Sequence, residues 1–122
     1  MSEFWRVLKK DGFALIRCPD IQAVAELVAK GKLLEPAYQS PAGPISPLDI
    51  MYGHGASIAQ GNLFMAHKCA FTLSALIQRC TEAGFSKVYG RRTALFGLAV
   101  VASVAPLNDA AMRKLYKRHV EE

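Results

Sequence analysis

Apolar residues recur at helical spacing in four parts of the chain, and a capping residue precedes each of them. The first such segment follows Ser2 and Glu3 and runs to Gly12, whose conformational freedom would end a short helix there. Three further helices are predicted to begin after the capping residues Asp20, Thr72 and Asn108, and to end at Gly31, at Gly84 and near His119, respectively. The chain therefore contains four predicted helices joined by other elements.

Nearly continuous apolar runs predict strands between these helices. Residues 13–18 lie between Gly12 and Pro19, and their pattern is typical of a strand covered on both faces, as in parallel sheets. Residues 88–93 predict an edge strand and residues 94–104 a buried one, with the turn at Gly90 or at the Arg91/Arg92 pair. The expected fold is α/β, with a small mixed three-stranded sheet. In it, strand 94–104 is antiparallel between strands 13–18 and 88–93.

The segment between residues 32 and 62 breaks the regular pattern. It contains four prolines and four glycines, which interrupt long elements, but it keeps several apolar residues that favour order. We predict an ordered insertion of short helical turns. We see no internal repeat and no linker, so residues 1–122 are expected to form a single domain.

Composition and charge narrow the class of protein. A hydrophobic share of 52% with 20% charged residues is typical of a folded globular chain. The formal charge of +5 raises the possibility of nucleic-acid binding, but the basic residues are scattered in short pairs. The densest group is Arg113, Lys114, Lys117 and Arg118. It is typical of the solvated face of a C-terminal helix, so nucleic-acid binding ranks last among the functions considered.

Cysteine spacing and hydropathy indicate the cellular compartment of the protein. Cys18, Cys69 and Cys80 show no CxxC spacing, and no secretory leader precedes them, so a reduced, cytoplasmic setting is expected. The longest apolar run, residues 94–104, is shorter than the roughly 18 residues that a membrane-spanning helix needs. No membrane span is therefore predicted.

Groups able to transfer protons or bind a polar substrate concentrate in the insertion. They are Tyr52, His54, Asn62, His67 and Lys68. Asp20 joins them as a candidate, since it follows a predicted parallel strand at the end where open α/β sheets bind ligands. A structural explanation is the stronger alternative for all six, because buried polar groups in loops commonly satisfy backbone groups and Asp20 caps a helix. No spacing typical of a metal site is present.

The segment EFWRVLKKDGFALIRCPD resembles the late part of the class I S-adenosylmethionine-dependent methyltransferase fold. In that family a helix ends in a Lys-x-Gly-Gly type of turn that feeds the fifth strand. Lys10, Asp11 and Gly12 stand at that turn, with Asp11 where the family often has glycine. A later helix ending in Ala83, Gly84 and Phe85 precedes two strands that, in the family, pair antiparallel at one sheet edge. The insertion, residues 34–71, resembles a bacterial branch of the family whose substrate is unknown.

The resemblance covers only the C-terminal half of the family's fold. It implies that the chain lacks the strands carrying the glycine-rich cofactor turn and the acidic residue that binds the ribose. No cofactor is therefore expected to bind the chain alone. S-adenosylmethionine is expected to bind only if another chain supplies the missing half. Whether the chain is an enzyme stays open. Three functional hypotheses follow, in order of preference: a methyltransferase-like interaction module, one half of a split or truncated methyltransferase, and a small basic nucleic-acid-binding protein. A homodimer that covers the free edge of strand 13–18 is expected.

Overall fold

The computed structural model describes residues 2–61 and 70–120. Its helices are α1 (Ser2–Val7), α2 (Ile21–Ala29), α3 (Pro47–Tyr52), α4 (Gly55–Ala59), α5 (Leu73–Glu82) and α6 (Asp109–Val120), and its strands are β1 (Phe13–Pro19), β2 (Tyr38–Ser40), β3 (Gly43–Ile45), β4 (Lys87–Thr93) and β5 (Gly97–Ser103). These elements fall into two compact units. One comprises the described residues of Met1–Cys18 and Thr72–Glu122, and the other those of Pro19–Phe71. A single domain over residues 1–122 stays a prediction.

The first unit is built on a three-stranded sheet with the order β1-β5-β4. Strands β4 and β5 pair antiparallel from Lys87↔Ser103 to Thr93↔Gly97. The backbone N–H of Val104, just after β5, donates to the carbonyl of Gly12, just before β1, over 3.0 Å. The end of β5 therefore meets the start of β1, and these two strands are antiparallel as well. The predicted arrangement, with the last strand antiparallel between the other two, is confirmed. The description of the sheet as mixed is wrong, because both pairs of neighbouring strands are antiparallel.

Burial differs sharply between the central strand and its neighbour β1. Leu98 to Ser103 of β5 are all buried, as the continuous apolar run predicted. In β1, half-buried and exposed positions alternate from Ala14 onwards, and Leu15 is 41% exposed. The prediction that residues 13–18 are covered on both faces is therefore wrong. β1 lies at the border of the sheet, where less protein covers it.

The turn between β4 and β5 lies at residues 94–96, which the sequence placed inside the strand. Leu95 and Phe96 both adopt left-handed backbone conformations, with φ of 58° and 60°. Gly90, predicted as a turn residue, instead pairs with Val100 in the middle of the ladder. The predicted turn at Gly90 or Arg91/Arg92 is wrong because Gly90 serves close packing rather than chain reversal.

Helices α5 and α6 begin where their capping residues predicted. The Ala75 N–H donates to Thr72 Oγ1 over 3.2 Å, and the Ala111 N–H donates to Asn108 Oδ1 over 2.8 Å. Residues Met112 and Tyr116 of α6 form a buried cluster with Ala99 and Val101 of β5. α6 therefore covers one face of the sheet.

Helix α1 is shorter than predicted. It ends at Val7, and Gly12 is not left-handed; its N–H donates to the carbonyl of Lys9 over 2.9 Å. A turn over Lys9–Gly12 therefore separates α1 from β1.

No helix among the described residues is long and apolar enough to cross a membrane.

The second unit contains α2, which ends at Ala29. Its C-cap Lys30 is followed by Gly31, which has φ of 78° and was predicted to end the helix. The insertion holds the short helices α3 and α4, which confirm the predicted helical turns. It also contains a hairpin that the sequence did not predict, in which β2 and β3 pair from Tyr38↔Ile45 to Ser40↔Gly43. Strands of three residues carry too little alternation to be recognised, and a proline stands inside β3.

Candidate functional site

Asp20, one of the predicted site residues, is 1% exposed and acts as a helix cap. The backbone N–H of Gln22 donates to its Oδ1 over 3.1 Å. The Ile21 N–H donates to the carbonyl of Phe71 over 3.1 Å, next to an isolated parallel bridge between Asp20 and Phe71. The capping explanation for Asp20 is therefore supported by its observed geometry. The reason given for a ligand role, the end of a strand in a parallel sheet, does not hold for the antiparallel β1.

Tyr52 and His54 lie where α3 passes into α4. Tyr52 is the last residue of α3 and is 59% exposed. His54 occupies the N-cap position of α4, where its side chain makes no capping hydrogen bond. Asn62, His67 and Lys68 lie outside the described residues. The expected grouping of all five around one site therefore stays a prediction.

Asp49, which the sequence analysis did not single out, is the centre of hydrogen bonding at this junction. Its Oδ2 accepts from the N–H and from the hydroxyl of Ser46, both over 3.0 Å, and its Oδ1 accepts from the Gly55 N–H over 2.9 Å. Burial raises the pKa of Asp49, but these hydrogen bonds and the nearby His54 outweigh it, so the net shift is downward. The carboxylate is held ionised and joins the start of α3 to the start of α4.

This arrangement has the geometry of a capping box. Ser46 Oγ accepts the Asp49 N–H over 3.2 Å while Asp49 accepts the Ser46 N–H, and Pro47 stands at the first helical position. The pattern Ser-x-x-Asp before an apolar stretch could have revealed it. Both oxygens of Asp49 are engaged, so the residue supports the loop rather than offering a free base.

Gly53 and Gly55 do not form a phosphate-binding turn. Gly53 ends α3 with φ of 103°, and Gly55 begins α4, so the glycines connect two helices instead of a strand and a helix. Within residues 2–61 and 70–120, no three His, Cys, Asp or Glu residues are grouped so as to hold a metal ion.

A different feature stands out in the first unit: an apolar surface beside an edge strand. Strand β1 has one neighbouring strand, β5, among the described residues. Next to β1 lies a shallow apolar cleft of about 200 Å³. We call it the β1–α1 surface; its lining residues are Phe4, Val7, Leu8, Ala14 and Leu15. Strand-edge hydrogen-bonding groups and apolar side chains thus occur side by side.

Helix α1 contributes most of this apolar character because it contains no buried residue. Phe4 is 48% exposed and Val7 66%. Trp5 packs over Gly84, where a β-carbon would lie 3.2 Å from the indole nitrogen. α1 is thereby held beside the sheet, and its other large side chains are left on the surface. Such a patch on a small protein commonly marks an interaction site.

Comparisons with known proteins found no match: no protein-family model, no curated protein and no solved structure corresponds to the chain.

Proposed function

We propose that the chain is a methyltransferase-like partial domain that acts as an interaction module, and that it forms a homodimer through the β1–α1 surface. The observation that carries this proposal is the position of β1 at the border of the sheet, beside a helix with exposed Phe4 and Val7. The strand order supports the likeness to the end of the methyltransferase fold, since the last strand lies antiparallel beside the one before it.

An exposed edge strand favours pairing with another strand. Its outward N–H and C=O groups are a template for hydrogen bonds, and monomeric proteins usually blunt such edges with charge, bulges or a covering element. β1 carries a single charged residue, Arg17, whose guanidinium donates to the carbonyl of Val120 over 3.0 Å. The charge is thus drawn towards the end of α6. The edge has little else to discourage association.

A second copy of the chain can supply the strand that pairs with this edge. Two β1 strands related by a twofold axis near Ile16 would pair antiparallel and give a six-stranded sheet. In that register Phe13 lies opposite Pro19 of the other copy, and Leu15 opposite Arg17. Pro19, which lacks an N–H, would stand at the end of the ladder, where it costs no internal hydrogen bond. Phe4 and Val7 would be covered near the same axis.

The same edge also favours a second candidate. In the methyltransferase fold the strand preceding the fifth lies beside it, so a chain carrying the cofactor-binding half would dock at β1. The module proposed here has no catalytic activity by itself, because the resemblance covers only the half without the cofactor turn. S-adenosylmethionine would be bound only after such a partner completed the site.

The homodimer is tested by light scattering of the purified chain at micromolar concentration. The expected mass is twice 13.3 kDa. Leu15→Asp and Val7→Asp should give monomers that retain their circular dichroism, whereas Leu95→Asp, which charges an exposed leucine in the β4–β5 turn, should stay dimeric. A monomeric wild-type chain would overturn the homodimer.

A separate titration tests the inactivity of the isolated chain. Calorimetry with S-adenosylmethionine and S-adenosylhomocysteine should give no saturable heat. Saturable micromolar binding would contradict the proposed module and favour an enzyme. A partner recovered on the wild-type chain but not on Leu15→Asp, and which confers cofactor binding, would support the second candidate instead.

A further inference from the structure

We infer that a cleft under α6 binds a small amphipathic carboxylate, with its apolar part on the sheet side and its negative head between Lys114 and Arg118. The cleft has a volume of about 280 Å³ and lies where the start of β1, the end of β5 and α6 meet. We call it the α6 cleft. It is separate from the β1–α1 surface, and the inference does not depend on the homodimer.

The floor of the α6 cleft is apolar and held in place by the core. Phe13, Leu107 and Leu115 line it, and all three pack against the buried cluster that contains Met112 and Tyr116. The ring of Phe13 also lies 5.0 Å from that of His119, centroid to centroid. Because core contacts position these side chains, the floor exists before any ligand arrives. Preformed apolar clefts with a few polar groups are typical of small-molecule sites.

The rim of the cleft is basic on the side of α6. Lys114 and Arg118 are four residues apart, so they lie one above the other on the same face of the helix. Neither forms an ion pair within the described part of the chain, whereas Lys87 pairs with Asp109 over 2.7 Å. Two cations that share a rim and form no ion pair among the described residues can both contact one carboxylate, and arginine can do so with two parallel hydrogen bonds.

Two features limit which anions fit. Asp11 also lines the cleft, so one negative and two positive charges surround it. This balance favours a single negative charge over a phosphate dianion, and it places the head group on the α6 side, away from Asp11. The negative end of the α6 dipole lies near Arg118 and weakens the attraction of Arg118 for an anion. This dipole end is equivalent to about half a negative charge, which is less than the two full positive charges of Lys114 and Arg118.

The volume sets the size of the ligand. At about 280 Å³ it lies just below the usual range for small-molecule pockets, roughly 300–1,000 Å³. A ligand of about ten non-hydrogen atoms, such as a medium-chain fatty acid, is therefore expected to bind with a Kd on the order of 0.1–1 mM, given usual binding efficiencies per atom.

The test is an NMR titration of the full chain with octanoate, with 1-octanol as the uncharged ligand of equal chain length. Octanoate should shift the amide signals of Leu107, Ala111 and Leu115 saturably, and octanol should bind about tenfold more weakly. The double variant Lys114→Gln/Arg118→Gln should raise the Kd for octanoate about tenfold, because it removes both charge-assisted contacts.

A matched control uses the other two cations of the helix. Arg113→Gln/Lys117→Gln removes the same charge from exposed positions of α6 that do not line the cleft, and the Kd should stay unchanged. A second test, Ala111→Phe, should abolish binding by filling the cleft, with the melting temperature reporting on folding. Absence of saturable shifts at millimolar octanoate, equal binding of octanol, or equal losses in both double variants would each overturn the inference.

Discussion

Gly90 of β4 lies directly opposite Val100 of β5, and a β-carbon at Gly90 would come within 2.5 Å of Val100 Cγ2. The same β-carbon would lie 3.1 Å from Leu73 Cδ1. Glycine at this position therefore permits the close approach of α5 to the sheet.

Replacing Gly90 by alanine should destabilise the protein. The added methyl group must push Val100 or Leu73 aside, and overpacking of this kind costs about 1–3 kcal/mol. Urea unfolding would measure the loss. Arg91→Ala, at the next, exposed position of β4, should change the free energy of unfolding by less than about 0.5 kcal/mol. Equal stability of Gly90→Ala and the wild type would show that α5 has room to move.

At the turn of residues 94–96, a substitution should stabilise the protein instead of destabilising it. Leu95 is 67% exposed and has a left-handed backbone, which costs a residue with a β-carbon about 1 kcal/mol. Leu95→Gly should relieve this strain and raise the melting temperature by a few degrees. Leu34→Gly removes a similarly exposed leucine, 74% exposed, whose φ is not positive, and it should give no gain. A lower melting temperature for Leu95→Gly would contradict the expected relief.

Asp49 should make the stability of its loop depend on pH. Its folded-state pKa lies below the ordinary value of 3.8, so its contribution is complete above that value and is lost as pH falls through the lower, folded-state pKa. Asp49→Asn should unfold more easily at pH 7 but lose less stability on acidification. Ser46→Ala, which removes the capping hydroxyl, should cost about 1 kcal/mol. Parallel acid-induced losses in the wild type and Asp49→Asn would argue against the capping role.

Cys80 should resist thiol reagents in the folded protein. Its side chain is fully buried, and this burial raises the pKa of the thiol, so little thiolate exists at pH 8. Mass spectrometry after alkylation should show modification of Cys80 at least about tenfold slower in buffer than in urea. Rapid labelling under native conditions would mean that α5 opens readily.

Local patterns were sufficient to predict most of the regular elements. Asp20, Thr72 and Asn108 begin helices because a short polar side chain can accept a backbone N–H wherever it precedes a helical turn. The continuous apolar run predicted β5 as a buried strand, again from a local pattern. Its residues have no polar face to present to water.

Other features depended on contacts between residues distant in the sequence. The exposure of Leu15 follows from the place of β1 at the border of the sheet, and the role of Gly90 follows from the approach of Leu73 and Val100. The grouping predicted around His54 stays a prediction, because Asn62, His67 and Lys68 lie outside the described residues. The α6 cleft joins Phe13 to Lys114 across some hundred residues. The sequence by itself determined most of the helices and the strands of the three-stranded sheet, since capping and hydrophobic periodicity act locally. Only the tertiary structure decided which surfaces are open to a ligand or partner, since exposure depends on what the rest of the chain covers.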